Sequence, residues 1–537
     1  MKNFASDGKT IMFCRMLYVA VTLVLASCGG GGGGNGGGGT QSFAATTPSS
    51  DNWTAGDFLP ASTYQGMCVS PGPGERRGTS TDENNFLRSF SNDTYLWYDE
   101  IVDRNPALYT TSAYFDLLKT TAVTPSGNPK DQFHFSIPTD EWNAQSQSGA
   151  SVGYGAQFGI ISLVRPGRRI VVAYTDPGTP ATAPGANLLR GESIDAIDGN
   201  NIGDANIDTY LDGLYPDTAG ETHTFRVTSR TGVTRTFTMQ SAVVTSTPVQ
   251  NVSTIDTGTG KVGYLLFNDH IATAERGLFD AVTQLAAAGI NDLVVDIRYN
   301  GGGYLDIASE LAYMIAGSAR TAGRTFEVLR FNNKHPLFDP ITGQPLIPVP
   351  FHNRSQGIDP SLPAGTLLPT LNLSRVYLIT GEGTCSASES IINSLRGIDV
   401  GVIQIGSTTC GKPYGFYPED NCGTTYFTIQ FQGVNAKGFG DYTDGFSPAN
   451  TRSSVGTIVA GCSVADDFLH LLGDPSELRL QAALNLRASG PGSCPSPTGI
   501  ASPRAISADS SSVPGPVTVQ EKVTVLKTVW QQNRIMR

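Results

Sequence analysis

Lys412 stands directly after the second glycine of GSTTCGKPYGF, residues 406–416, a spacing that matches the phosphate-cradling pattern G-x-x-x-x-G-K. Pro413 occupies the position where such a loop places the Ser or Thr that reaches Mg²⁺. A lysine in a glycine-rich turn can do other work: deprotonated, it accepts a proton from a nucleophilic hydroxyl. Ser386, in GEGTCSASES, lies 26 residues earlier, where a helical pattern begins and unpaired amides suit a developing oxyanion. Ala387 and Cys385 are small neighbours that leave this serine accessible. Gly302 and Gly303, in DIRYNGGGY, let backbone approach a substrate with no Cβ in the way. To act as a base, Lys412 must lose roughly three units from a reference pKa near 10.4, about 4 kcal/mol, an amount that burial supplies.

Histidine chemistry is the competing possibility. His134, His223, His270, His335, His352 and His470 fall in no H-E-x-x-H motif, and no G-x-S-x-G elbow surrounds Ser386. His270, just after the apolar run YLLF, is the one placed to face a cleft. No metal and no cofactor are expected, since no C-x-x-C pair or comparable ligand spacing occurs.

The elements that must position these residues are legible as an alternation. KVGYLLF, NDLVVDIR, SRVYLITG and VGVIQIG read as strands, with ATAERGLFDAVTQLAAAG, YLDIASELAYMIAG and SASESIINSLRG as intervening helices. That order implies an α/β core with a largely parallel sheet, whose sites form at the strand ends. Residues 323–373, heavy in Pro, Asn and Phe, interrupt it as an insertion or cap. Upstream, ENNFLRSFSNDTYLWYDEI and SAYFDLLKTT read as short helices, and residues 153–240 carry strand patterns and a Thr-Gly hairpin turn.

The first residues speak to compartment. LYVAVTLVLAS follows Lys2, Lys9 and Arg15, is too short for a membrane span, and reads as a signal peptide. It ends in Leu25-Ala26-Ser27-Cys28, which resembles the lipobox of bacterial lipoproteins, with Cys28 as the lipidation site. The glycine tract that follows reads as a tether. The expected location is the cell envelope, membrane-bound through the lipid and facing the periplasm or cell surface. Gly29, in place of an inner-membrane retention Asp, favours the outer membrane by analogy. A formal charge of −11 argues against a nucleic-acid partner. Six cysteines beyond Cys14 and Cys28 suit an oxidising compartment, and a Cys410–Cys422 bridge closing the lysine loop is the expected pairing.

Two resemblances organise the whole. Gly153-Tyr154-Gly155-Ala156 and GTPATAPGANLLRGESIDAIDG resemble the carboxylate-binding loop and following motif of a bacterial protease-associated PDZ domain. That implies a nest of amides for a peptide terminus beside an open strand edge. VVDIRYNGGG, TCSASES and STTCGKP resemble the signature blocks of the carboxy-terminal processing (tail-specific) serine peptidases, which join a PDZ domain to a crotonase-like α/β core. Over about Asn84–Arg487 the resemblance implies Ser386 as nucleophile, Lys412 as base, and Ala387, Gly302 and Gly303 as oxyanion-hole donors. The substrates it implies are polypeptides, taken by their C-termini. The corresponding divisions are signal peptide 1–28, linker 29–80, helical region 81–148, PDZ domain 149–247, catalytic core 248–487 and Ser/Pro-rich tail 488–537. Glu389 and Thr409 match the family. Phe416 stands where many relatives carry a Gln that orients the lysine, with Gln430 and Gln432 as substitutes, and Gly397 stands where some carry an Asp. A catalytically silent, peptide-binding lipoprotein is the reading those departures leave open.

Overall fold

The computed structural model describes residues 53–162, 167–205, 207–452 and 456–500, and the short strands 524–525 and 534–535. The signal segment, Cys28 and the glycine tract lie outside the described residues. Helix α1 (Ser80–Thr94) starts where Thr79 and Asp82 exchange caps: the Asp82 amide donates to Thr79 Oγ1 and the Thr79 amide to Asp82 Oδ2. It buries Phe86, Leu87 and Phe90 against α2 (Thr111–Asp116). Helix α3 (Thr139–Ser148) follows, ended by Gly149 in the left-handed conformation.

Strands β1 (Ala150–Gly153), β2 (Ala156–Ser162), β3 (Arg169–Thr175) and β4 (Ser193–Ile197) lead into helix α4 (Ile207–Leu214). Strands β5 (Thr222–Thr228) and β6 (Thr234–Gln240) form a hairpin. The antiparallel sheet runs β6-β5-β4-β3-β2, so β2 is the last long strand on its side. Alternating inward residues, Phe158, Ile160, Ile170, Val172, Ile194, Phe225 and Val227, build its own core.

The second sheet holds the site. Strands β7 (Val249–Thr257), β8 (Gly260–Phe267) and β9 (Asp292–Asp296) are joined by helix α5 (Thr273–Ala288), which buries Leu278, Ala281, Val282 and Leu285 at helical spacing. The short strand β10 (Gly303–Tyr304) opens helix α6 (Leu305–Ala316). Strand β11 (Arg375–Thr380), helix α7 (Ala387–Gly397), strand β12 (Gly401–Gly406) and strand β13 (Gly461–Ser463) complete it, before helix α8 (Leu478–Ser489). The order is β7-β8-β9-β11-β12-β13, parallel from β8 onward. This is the mixed α/β architecture that the alternation of patterns implies. Among the described residues no helix is long and apolar enough to cross a membrane.

One expectation fails. The disulfides are Cys68–Cys422, Cys385–Cys410 and Cys462–Cys494, not Cys410–Cys422. Cys422 sits at the tip of the hairpin Glu419–Asn421/Thr424–Phe427, turned toward the N-terminal region. Cys410 instead meets Cys385 because the turns leaving β11 and β12 are spatial neighbours.

Candidate active site

The turns after β9, β11 and β12 leave the same end of neighbouring parallel strands, and they are stitched together. Thr384 Oγ1 donates to Ile297 O at 2.8 Å, the Cys385 amide to Asn300 O at 3.1 Å, and the Cys410 amide to Thr384 O at 3.0 Å. These bonds bring Gly303, Ser386 and Lys412 to one place. Ser386 sits at the sharp turn between β11 and α7 with φ +61° and ψ −116°, a backbone conformation that side-chain-bearing residues rarely adopt. Such strain costs of order 1–3 kcal/mol and persists only where surrounding contacts impose it.

Glu389 is the group that imposes it. Its Oε2 accepts from the Ser386 amide at 3.0 Å and the Lys412 amide at 2.8 Å. Its Oε1 accepts from the Gly411 amide at 2.9 Å and Thr409 Oγ1 at 2.5 Å. One buried carboxylate thus clamps the backbone of Ser386 to that of Lys412. Burial pushes its pKa up to about 6, against the opposing pull of those hydrogen bonds. The sequence motif marks Glu389 as matching; its double attachment is what the fold adds.

Lys412 is fully buried, its Nζ 4.6 Å from the centre of the Phe133 ring and 4.5 Å from that of Phe416. Desolvation holds its pKa well below the usual lysine value, while Asp131 and Glu389 pull the other way. Phe416 therefore replaces an orienting amide with an apolar wall. Of the two glutamines on the following strand region, Gln430 Oε1 accepts from the Tyr417 amide at 2.8 Å, and Gln432 Nε2 donates to Gly440 O at 3.0 Å. Asp131, which no motif flags, comes from the N-terminal region, its carboxylate held by Tyr95 Oη at 2.7 Å and the Phe133 amide at 2.9 Å. Gly397 explains itself by packing, since a Cβ there would lie 2.9 Å from the Asn435 side chain.

The oxyanion donors need one correction. The Gly302 amide donates to Asn300 Oδ1 at 3.0 Å and is committed to that turn. Gly303 and Ala387 remain as candidates, with Ala387 the first residue of α7. Gly303 has φ +132°, and a Cβ on it would lie 2.5 Å from His270 O. His270 is buried, with Nδ1 2.9 Å from Asn300 Oδ1, so this histidine bonds the turn that carries Gly303. Ser386 Oγ is itself buried.

The remaining sequence candidates lie in the turn that leads into the other sheet. Gly153 ends β1, the Tyr154 and Gly155 carbonyls accept from the Ala181 and Asp176 amides, and Ala156 starts β2. Gly155 has φ +72° and packs on Thr179.

Residues 261–415 match peptidase family S41. They form a family S41 peptidase domain. A carboxyl-terminal-processing protease of Picosynechococcus sp. is 28% identical over 205 residues, 38% of this chain and 47% of that protein, so the match spans about half the relative's length. A crystal structure described as an S41 protease from Bacteroides fragilis aligns with a TM-score of 0.56 at 23% identity, covering 75% of this chain and 97% of that one. That likeness shows a shared fold.

Within the S41 domain the Cys385–Cys410 bridge joins the residue before Ser386 to the residue two before Lys412, closing a loop of sequence separation 25. A loop that long contributes about 3 kcal/mol through the unfolded state. A Cys385→Ala/Cys410→Ala variant is therefore expected to lose about that much stability in a urea titration and to lose turnover more than substrate affinity. An unchanged urea midpoint would refute the first expectation.

Proposed function

We propose that the chain is a serine endopeptidase of the carboxy-terminal processing type, with a crotonase-like catalytic core and Ser386 and Lys412 as its dyad. The observation that carries the reading is the Glu389 clamp, which holds the backbones of a strained serine and a wholly buried lysine together. Neutral Lys412 takes the Ser386 proton as Oγ attacks the scissile carbonyl. The Ala387 and Gly303 amides receive the oxyanion, and the lysine then returns the proton to the leaving amine. Water enters by the same route in reverse to release the acyl group. The sheet of residues 149–247 acts as a PDZ domain, its Gly153–Ala156 turn and β2 edge taking the substrate's C-terminal segment. Lipidation at Cys28 places the enzyme on the cell envelope, in the outer membrane, where its substrates are polypeptides.

The test is incubation of the soluble chain and its Ser386→Ala form with an unfolded protein. Cleavage by the first and none by the second is expected. Equal silence from both, with peptide still bound, would instead make the chain a non-catalytic peptide-binding lipoprotein.

A further inference from the structure

Two short strands near the end of the sequence occupy the two backbone edges that the proposed reading gives to a substrate. Strand β14 (Thr524–Val525) pairs antiparallel with β2, Thr524 opposite Ile160 and Val525 opposite Gly159. It thereby takes the otherwise open side of the sheet that follows the Gly153–Ala156 turn. Strand β15 (Arg534–Ile535) pairs parallel with β10, Arg534 opposite Gly303 and Ile535 opposite Tyr304. Gly303 carries the remaining glycine amide suited to an oxyanion. The two edges belong to different sheets, and one stretch of chain reaches both. Its composition favours strand addition, with β-branched residues in Val517-Thr518-Val519 and Val523-Thr524-Val525.

We propose that the strands Thr524–Val525 and Arg534–Ile535 act as an intramolecular ligand of this protein, docked by backbone pairing at the two edges, β2 and Gly303–Tyr304, that a polypeptide substrate uses. This deepens the peptidase reading and rests on it for the identity of the path. It makes the chain's own tail the competitor that an incoming polypeptide must displace. A tethered competitor acts at an effective concentration of roughly millimolar, so releasing it is expected to raise kcat/KM on a peptide substrate by about tenfold or more, mostly through KM.

The test compares the native chain with a Val525→Pro/Ile535→Pro variant, because proline removes a backbone amide and is disfavoured in ladder pairing. Amide hydrogen exchange in 156–162 and 303–304 is expected to accelerate at least about tenfold in the variant, with 292–296 in β9 unchanged as control. A synthetic peptide of residues 517–537, added to the variant, is expected to restore protection at both edges. Unchanged exchange at both edges overturns the inference. A photo-crosslinking side chain at position 525 of the otherwise native chain provides a check independent of the prolines. Crosslinks to 156–162 support the docking, and crosslinks elsewhere refute it. None of these readouts requires turnover, so a silent Ser386 would leave them intact. Ser386-dependent hydrolysis without edge protection would sink only the tail.

Discussion

Lys412→Met is expected to abolish hydrolysis and at the same time to stabilise the protein at neutral pH. Methionine has nearly the length of lysine and no charge, so it fills the space between Phe133 and Phe416 without the amine. Loss of the general base should lower kcat by about 10²–10⁴. The stability change follows from linkage. The folded-state pKa of Lys412 lies well below 10.5 because burial disfavours the ammonium. Between that value and the unfolded value, the unfolded chain holds a proton that the folded chain releases, so folding bears a penalty there. The penalty is full below the folded pKa and fades as pH rises toward the unfolded one. The methionine variant should therefore have a higher urea midpoint than the native chain at pH 7, with the gap closing as pH approaches 10. In the native chain the rising limb of kcat/KM with pH should sit well below 10.5. A limb at or above 10 would show that Lys412 is not the base. A lower midpoint for Lys412→Met at pH 7 would show that its ammonium is stabilised in the fold.

The catalytic sheet was readable because its signals are local. Short, β-branched apolar runs such as LVV and VYLI read as buried strands, and a glycine cluster follows each at the end where α/β folds build sites. Ser386, Lys412 and Gly303 were singled out there by the resemblance of their three blocks to the carboxy-terminal processing peptidases, and Glu389 as a matched position. What the sequence hides is contact across long separations. Asp131 and Phe133 come to Lys412 from a region whose pattern says only that it is helical, and no spacing rule links position 131 to position 412. The Cys410–Cys422 expectation failed for the same reason, since nearness in sequence lost to the adjacency of two parallel strand ends. Gly302 was assigned together with Gly303 because a pattern cannot say which amide of a glycine run faces inward. The Asn300 side chain takes the Gly302 amide. Phe416, which stands where relatives carry an amide, is part of the wall that desolvates Lys412.

Glu389→Gln is expected to leave a folded protein that binds substrate but turns it over about 10²-fold more slowly. Each oxygen of Glu389 accepts from two donors, Ser386 and Lys412 amides on one side, Gly411 amide and Thr409 hydroxyl on the other. Whichever way a glutamine is turned, its NH₂ faces a pair of donors, and at least one buried amide loses its acceptor at a cost of about 1–3 kcal/mol. The strained turn at Ser386 and the placement of Lys412 then relax independently, a loss that falls on kcat rather than KM. The pH profile separates this role from plain structural support. With a pKa raised to about 6 by burial, Glu389 contributes stability that is full below its unfolded value near 4.5 and is lost as pH rises through 6. The ionised clamp is therefore held at neutral pH against the stability of the fold, as expected for a group kept for positioning. In the native enzyme, protonation of Glu389 adds to protonation of Lys412, so log kcat/KM should fall with a slope of about two once pH lies below the titrations of both groups. In Glu389→Gln only the lysine titrates, and the slope should be about one across the same range. Equal slopes in the two proteins would mean that the carboxylate's charge does no positioning, whatever the loss in rate.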